Sequence, residues 1–332
     1  MNLPFDSSEM IVAFTAGGVW LLIGWMFVLG AAMGSFLNVV AYRLPRGMSL
    51  SRPGSRCPAC GRPIRWYDNV PIFGWLMLGG RCRDCRAAIS PRYPIVEMSV
   101  AASSALVAWS AIGPVAGAEG GESFALDPLL AVFRLMLVYT LVCAALLEFD
   151  GGRAPRRLLI AIFVAGVVLS TVCPDVRPVQ SASESAWRGL YDSGWMLAAA
   201  LLLGALAWPL LLEKAADDAV RAGTARVAEL ALAGVFLGLG AMAAIAVFSP
   251  ACFLATRIAG RFWPPAARFG WAAALVLGTL IWIAAGREIL GRLPSVVRGD
   301  QGMTLLAAGA MVAVLSIVGR LAHSGPASSD RA

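Results

Sequence analysis

Histidine is almost missing from this chain. Of 332 residues only His323 is a histidine, and it lies in the polar tail "SGPASSDRA" region at the C-terminus. That one shortage excludes a Ser-His-Asp triad, a Cys-His dyad and an HExxH zinc protease together. No GxxxxGK[ST] phosphate loop occurs, and no GxGxxG follows a strand pattern. "GLGAMAAIA" from Gly238 lies inside an apolar run, where small residues serve helix packing. An enzyme built on this chain would use carboxylates as its acid–base groups.

Charge is also scarce. Only 14% of residues are charged and 59% are hydrophobic, too little charge to cover the surface of a soluble domain of this length. The apolar residues fall in about eight runs, at 11–33, 95–113, 126–149, 157–173, 195–212, 229–249, 269–285 and 303–321. Each approaches the ~20 residues that cross a bilayer as a helix. The expected fold is therefore all-α and polytopic, with about eight transmembrane helices. The first run follows Asp6 and Glu9 without a basic n-region or a small-residue cleavage site, so it reads as a retained helix. No repeat at a fixed period is read from the sequence.

Basic residues are missing from the connection "GPVAGAEGGESF", whereas Gly34–Pro94 carries ten arginines against Asp68 and Asp84. Under the positive-inside rule the arginine-rich segment is cytoplasmic and the connection is outside. Alternation places 150–156, 213–228 and 286–302 inside, and against it stand Arg257, Arg261 and Arg268 in the outer loop 250–268. The net charge of +7 thus follows membrane orientation, and no nucleic-acid partner is expected. The expected division is a first helix at 1–33, a cytoplasmic lobe at 34–94, a membrane domain of about seven helices at 95–322 and a tail at 323–332.

Against this apolar background the segment "RCPACGRPIRWYDNVPIFGWLMLGGRCRDC" stands out. Cys57, Cys60, Cys82 and Cys85 form CxxC-x21-CxxC, and two such turns can aim four thiolates at one tetrahedral Zn2+. Disulfides and a redox CxxC are the competing readings, the first disfavoured in a reducing cytoplasm. Four cysteines leave no position for water, so the ion is expected to be structural. Cys143, Cys173 and Cys252 lie in or beside apolar runs and read as small buried hydrophobes.

Carboxylates at the ends of apolar runs are costly, which makes each a candidate. Glu148 and Asp150 close the third run, Glu229 opens the sixth, and Glu97 begins the second. Two carboxylates brought together could share a proton, one acting as general base on water and the other as general acid. The plain alternatives are a helix N-terminal charge at Glu229 and headgroup contact at Glu148.

"GSFLNVVAYRLPRG" (Gly34–Gly47), the two CxxC pairs with "NVPIFGWLMLGGRCRDC", and "ISPRYPIVE" (Ile89–Glu97) resemble the N-terminal region of bacterial prepilin peptidases. These are membrane aspartic peptidases and N-methyltransferases of type IV pilus and type II secretion systems. The resemblance implies an inner-membrane protein that cuts the leader of prepilin or pseudopilin precursors at the cytoplasmic face. It also implies methylation of the new N-terminus with S-adenosylmethionine. Family members place one aspartate seven residues before a proline at the end of the third span and another in a GxGD opening the sixth. Here Glu148 stands seven before Pro155, with Asp150 in reserve, and "RVAEL" places Glu229 at the second position. The resemblance therefore implies a Glu148–Glu229 pair. Two other readings stay open: a catalytically inactive homologue that serves as a membrane scaffold or pilin-binding protein, and, last, a small-solute transporter.

Overall fold

The computed structural model describes residues 12–14, 16–114, 124–152, 155–172 and 270–292, with single positions between 229 and 258. It is mostly helical. Two compact units divide the chain, Met1–Asp150 and Gly151–Ala332.

In the first unit, α1 (Ala16–Arg43) is a 28-residue helix. The expected span at 11–33 is shifted: residues 12–14 form a strand, and the helix runs ten residues further, through "GSFLNVVAYR". Polar Ser35 and Asn38 end the apolar run in sequence without ending the helix, and Asn38 Nδ2 donates back to the Gly34 carbonyl at 3.3 Å. The end comes where Pro45 enters a 3-10 turn, Leu44–Arg46, closed by Gly47 in a left-handed conformation at φ 64°.

α2 (Phe73–Met77) is a short helix within the arginine-rich segment, and α3 (Arg92–Ser110) follows it. α4 (Pro128–Phe149) begins as its sequence dictates. Pro128 sits in the first turn, and the Asp127 side chain caps it by accepting from Leu130 N–H at 2.8 Å. Three-residue strands β1 (Val12–Phe14), β2 (Ile112–Pro114) and β3 (Phe124–Leu126) form an antiparallel sheet in the order β1-β3-β2. Leu126 lies opposite both Val12 and Ile112. An all-α reading misses this sheet because three residues are too short to display a period-2 pattern.

α1 and α3 pack closely on small residues. Gly30 and Gly34 are four apart on one face of α1, and a Cβ at Gly34 would lie 2.8 Å from the Cα of Glu97. A Cβ at Gly30 would lie 2.9 Å from the Cα of Ala101. Ser104 and Tyr139 share a hydroxyl hydrogen bond of 2.9 Å that ties α3 to α4. At the other end of α3, buried Arg134 of α4 donates to the Ser110 carbonyl and hydroxyl, placing a cation at a helix C-terminus.

In the second unit, α5 (Arg156–Val172) and α6 (Trp271–Arg292) match the runs expected at 157–173 and 269–285. Gly278 of α6 packs against Ile245 and Ser249. The runs at 195–212 and 303–321 lie outside the described residues, and that at 229–249 is described only at single helical positions. Among the described residues, Gly17–Arg46 and Pro128–Phe149 are long and apolar enough to cross a membrane. Arg157–Leu169 and Ala272–Ala285 are shorter apolar helices.

Candidate functional site

The four expected metal ligands converge. One sulfur from each of Cys57, Cys60, Cys82 and Cys85 lies within 4.8 Å of all the others. A tetrahedral thiolate site with metal–sulfur bonds of about 2.3 Å has sulfur–sulfur edges of about 3.8 Å. The Cys57–Cys85 edge is 3.7 Å, so the donor set and its dimensions both fit a metal ion. No disulfide joins these cysteines.

Two copies of one turn build this arrangement. Cys57 N–H donates to the Arg62 carbonyl at 3.0 Å, and Cys82 N–H to that of Ala87 at 2.8 Å. Gly61 N–H returns to the Cys57 carbonyl at 2.8 Å, and Arg86 N–H to that of Cys82 at 3.0 Å. Bridges Arg56–Pro63 and Arg81–Ala88 flank them. Ile64 N–H bonds Ser55, and Ile89 N–H bonds Gly80. Every equivalent position is 25 residues apart, so one backbone turn occurs twice in a sequence that shows no fixed-period repeat. "RCPACGRPI" and "RCRDCRAAI" share only Arg, Cys, Cys and Ile, and their likeness lies in the backbone. Each turn needs a left-handed residue after its second cysteine, Gly61 at φ 70° and Arg86 at φ 60°.

The sulfurs already behave as a set. Backbone amides of Cys60 and Ala59 aimed at Cys57, joined by the neighbouring thiols, bring its pKa down to about 7. Cys85 also accepts a backbone N–H, from Ala87, which favours its thiolate. Burial of the sulfur and crowding by the other three outweigh that and push it up to about 11. A cation at the centre of the four sulfurs would favour their thiolate forms.

Two acids join the halves of the lobe around the cluster through three ion pairs. Asp68 and Arg83 form a bidentate pair, with Nε–Oδ2 at 2.8 Å and Nη2–Oδ1 at 2.6 Å. The Arg83 hydrogen bonds hold the Asp68 carboxyl below the usual carboxylate range. Asp84 faces Arg62 at 3.5 Å and Arg65 at 3.7 Å. The only two acids of the expected lobe are thus spent on pairing the segment's halves.

The expected catalytic acids Glu148 and Glu229 belong to different units of the chain. Glu148 is half-buried in the last turn of α4. Asp150 caps that helix and is held by Arg92 in a two-point pair at 2.5 and 2.8 Å. Arg92 also stacks over Phe149 at 5.5 Å. Glu229 belongs to the second unit and is buried and helical. Glu97 proves to be a structural acceptor: its Oε2 takes the backbone N–H of Ile72 at 2.6 Å. Sequence reasoning named Glu97 without its partner, which is main chain and carries no side-chain signal.

A family model described as the bacterial peptidase A24 N-terminal domain matches residues 28–111, which contain the four cysteines. A prepilin leader peptidase/N-methyltransferase of Klebsiella pneumoniae is 32% identical over 196 residues, 57% of this chain and 79% of that protein. The chain belongs to the prepilin peptidase family. Another member, from Myxococcus xanthus strain DK1622, is 38% identical over 146 residues, 44% of this chain but only 39% of that protein. A third, from Stutzerimonas stutzeri, is 31% identical over 183 residues, and 58% of its length is covered. The match to prepilin peptidases thus spans about half of this chain and, in two of these three relatives, less than two thirds of theirs. No solved structure matches the chain.

Proposed function

We propose that this chain is a multi-pass inner-membrane endopeptidase that removes the leader from type IV pilin-like or pseudopilin precursors at the cytoplasmic face. The observation that carries the reading is the four-sulfur cluster, built by paired turns inside the segment that matches the family's N-terminal domain. In this reading the cluster holds a structural Zn2+, which would supply folding energy to a lobe at 34–94 that has few buried apolar residues. The chain's relatives are named N-methyltransferases as well. Methylation with S-adenosylmethionine is therefore part of the proposal.

Glu148 and Glu229 are the proposed catalytic pair, one carboxylate taking a proton from water while the other, protonated, gives one to the leaving amine. Asp150 is the weaker choice for the first position, because its carboxylate is engaged at both oxygens by Arg92. An apolar substrate helix lying in the bilayer would deliver its cleavage site to carboxylates at the membrane surface.

Two observations favour an inactive scaffold as the second reading. The family-model match ends at residue 111, before either acid, and both acids are glutamates. Co-expression with a precursor distinguishes the two. Leader loss that stops in Glu148→Ala and in Glu229→Ala supports the peptidase. A precursor bound and uncleaved by the intact, metal-loaded protein supports the scaffold.

A further inference from the structure

The stretch Val70–Leu78, "VPIFGWLML", holds nine residues without a charge inside a segment that is otherwise rich in arginine. Its place along the neighbouring helices is defined by contacts. Ile72 is buried in a cluster with Ala31 of α1 and Ala101 of α3, against which Phe27 also packs. Ala101 lies nine residues into α3 and Ala31 twelve residues before the end of α1. At 1.5 Å per residue, Ile72 therefore reaches about 14 Å past the start of α3 and about 18 Å back from the end of α1.

The level of the membrane surface is marked independently. α4 has 22 residues, about 33 Å of helix, enough for the whole hydrocarbon thickness. Its C-cap Asp150 is paired with Arg92 at the first residue of α3. With α4 crossing the membrane, that charged pair would mark the polar boundary and Ile72 would lie on the bilayer side of it.

Chain that is irregular at membrane depth must satisfy its own backbone. Much of the main chain here is bonded locally. Phe73 N–H bonds Pro71 O at 2.7 Å, Gly74 bonds Val70 at 2.8 Å and Leu76 bonds Ile72 at 3.2 Å. Ile72 itself stands at φ 64°, and its N–H bonds no main-chain carbonyl among the described residues. It receives the Glu97 carboxylate instead. Trp75 Nε1 is likewise used, on the Ile89 carbonyl at 3.0 Å. Once these polar groups are paired, the outward side chains are Phe73, Leu76 and Met77, at 62%, 57% and 79% exposure. Trp66, 82% exposed, precedes them in the position of an interfacial aromatic anchor.

We infer that Val70–Leu78 is a re-entrant segment dipping into the bilayer from the side of the cysteine cluster, with Phe73, Leu76 and Met77 packed against lipid acyl chains. The inference rests on α1 and α4 crossing the membrane. Lipid fits this surface better than a basic leader peptide does, because the flanking residues are arginines.

A genetically encoded nitroxide side chain tests the inference without touching the cysteines. It is placed at Phe73 and, separately, at Met77 in the full chain, reconstituted in phosphatidylethanolamine/phosphatidylglycerol vesicles. Relaxation by dissolved oxygen, which enriches in the bilayer, is compared with relaxation by a water-soluble nickel chelate. Ser51 serves as the aqueous reference and Val28, outward on α1, as the bilayer reference. The expected result at both positions is the Val28 pattern, with nickel relaxation several-fold below that at Ser51. Nickel relaxation equal to that at Ser51 overturns the re-entrant segment while Val28 stays protected. Protection from both relaxers also overturns it, since protein and not lipid then covers the patch. If Val28 itself is open to nickel, the membrane reading of α1 fails and the inference with it.

Discussion

Glu97 on α3 accepts the backbone N–H of Ile72, 25 residues earlier, at 2.6 Å, and both residues are buried. The carboxylate serves that main-chain donor and also takes a hydrogen bond from the Ser35 side chain. Removing it strands that donor, which costs about 1–3 kcal/mol when buried. Glu97→Ala is expected to destabilise the first unit by that amount. Glu97→Gln, which keeps an acceptor oxygen, is expected to restore most of it, as read by thermal unfolding in detergent. Equal losses in the two variants would contradict the assignment.

The approach of α1 to α3 makes Gly34 intolerant of any side chain. A Cβ there meets the backbone of Glu97 at 2.8 Å, and backbone cannot move aside as a flexible side chain can. Gly34→Val is expected to cost about 1–3 kcal/mol by overpacking. Gly24→Val, whose Cβ meets nothing within 4 Å, should be close to neutral in the same assay.

Asp68 orients Arg83, the neighbour of the ligand Cys82 in the chain. Loss of a group that supports a ligand typically costs about 10–100-fold in metal affinity. Asp68→Asn is expected to fall in that range in a competition with a chelator. The sign of the pH dependence follows from the lowered carboxyl pKa. The pair contributes fully above the ordinary carboxylate value of about 4 and is lost as pH falls through the lower folded value. The ratio of wild type to variant should therefore stay flat between about pH 8 and about pH 5. A ratio that collapses in that range would show that another group is responsible.

The two turns predict opposite responses to substitution at equivalent positions. Arg86 already stands at φ 60°, where a side chain costs about 1–2 kcal/mol, so Arg86→Gly should be neutral or stabilising to the lobe. Gly61→Ala at φ 70° should destabilise it by about 1 kcal/mol. Limited proteolysis of the metal-loaded protein compares them.

The cysteine cluster was legible from sequence because a CxxC turn is local: the residues that bend the chain are those that bind. The 25-residue repeat was not, since hydrogen bonds and left-handed residues define it and only four side chains are shared. The extent of α1 was hidden because Ser35 and Asn38 interrupt the apolar run, although Asn38 bonds within the helix. The engagement of Asp150 was hidden for another reason. Its partner Arg92 is 58 residues away, and only the pairing of α3 with α4 brings them together. The placement of Glu148 and Asp150 at the end of α4 did follow from charge against apolar runs, since burying an acid is expensive.

The most direct measurement is the mass of a pilin-like precursor's N-terminus after incubation with the purified, metal-loaded protein in lipid. The account predicts loss of the basic leader, abolished by Glu148→Ala and by Glu229→Ala while the metal content of both variants stays intact. A precursor that binds and keeps its leader, or a leader removed equally well by both variants, would contradict it.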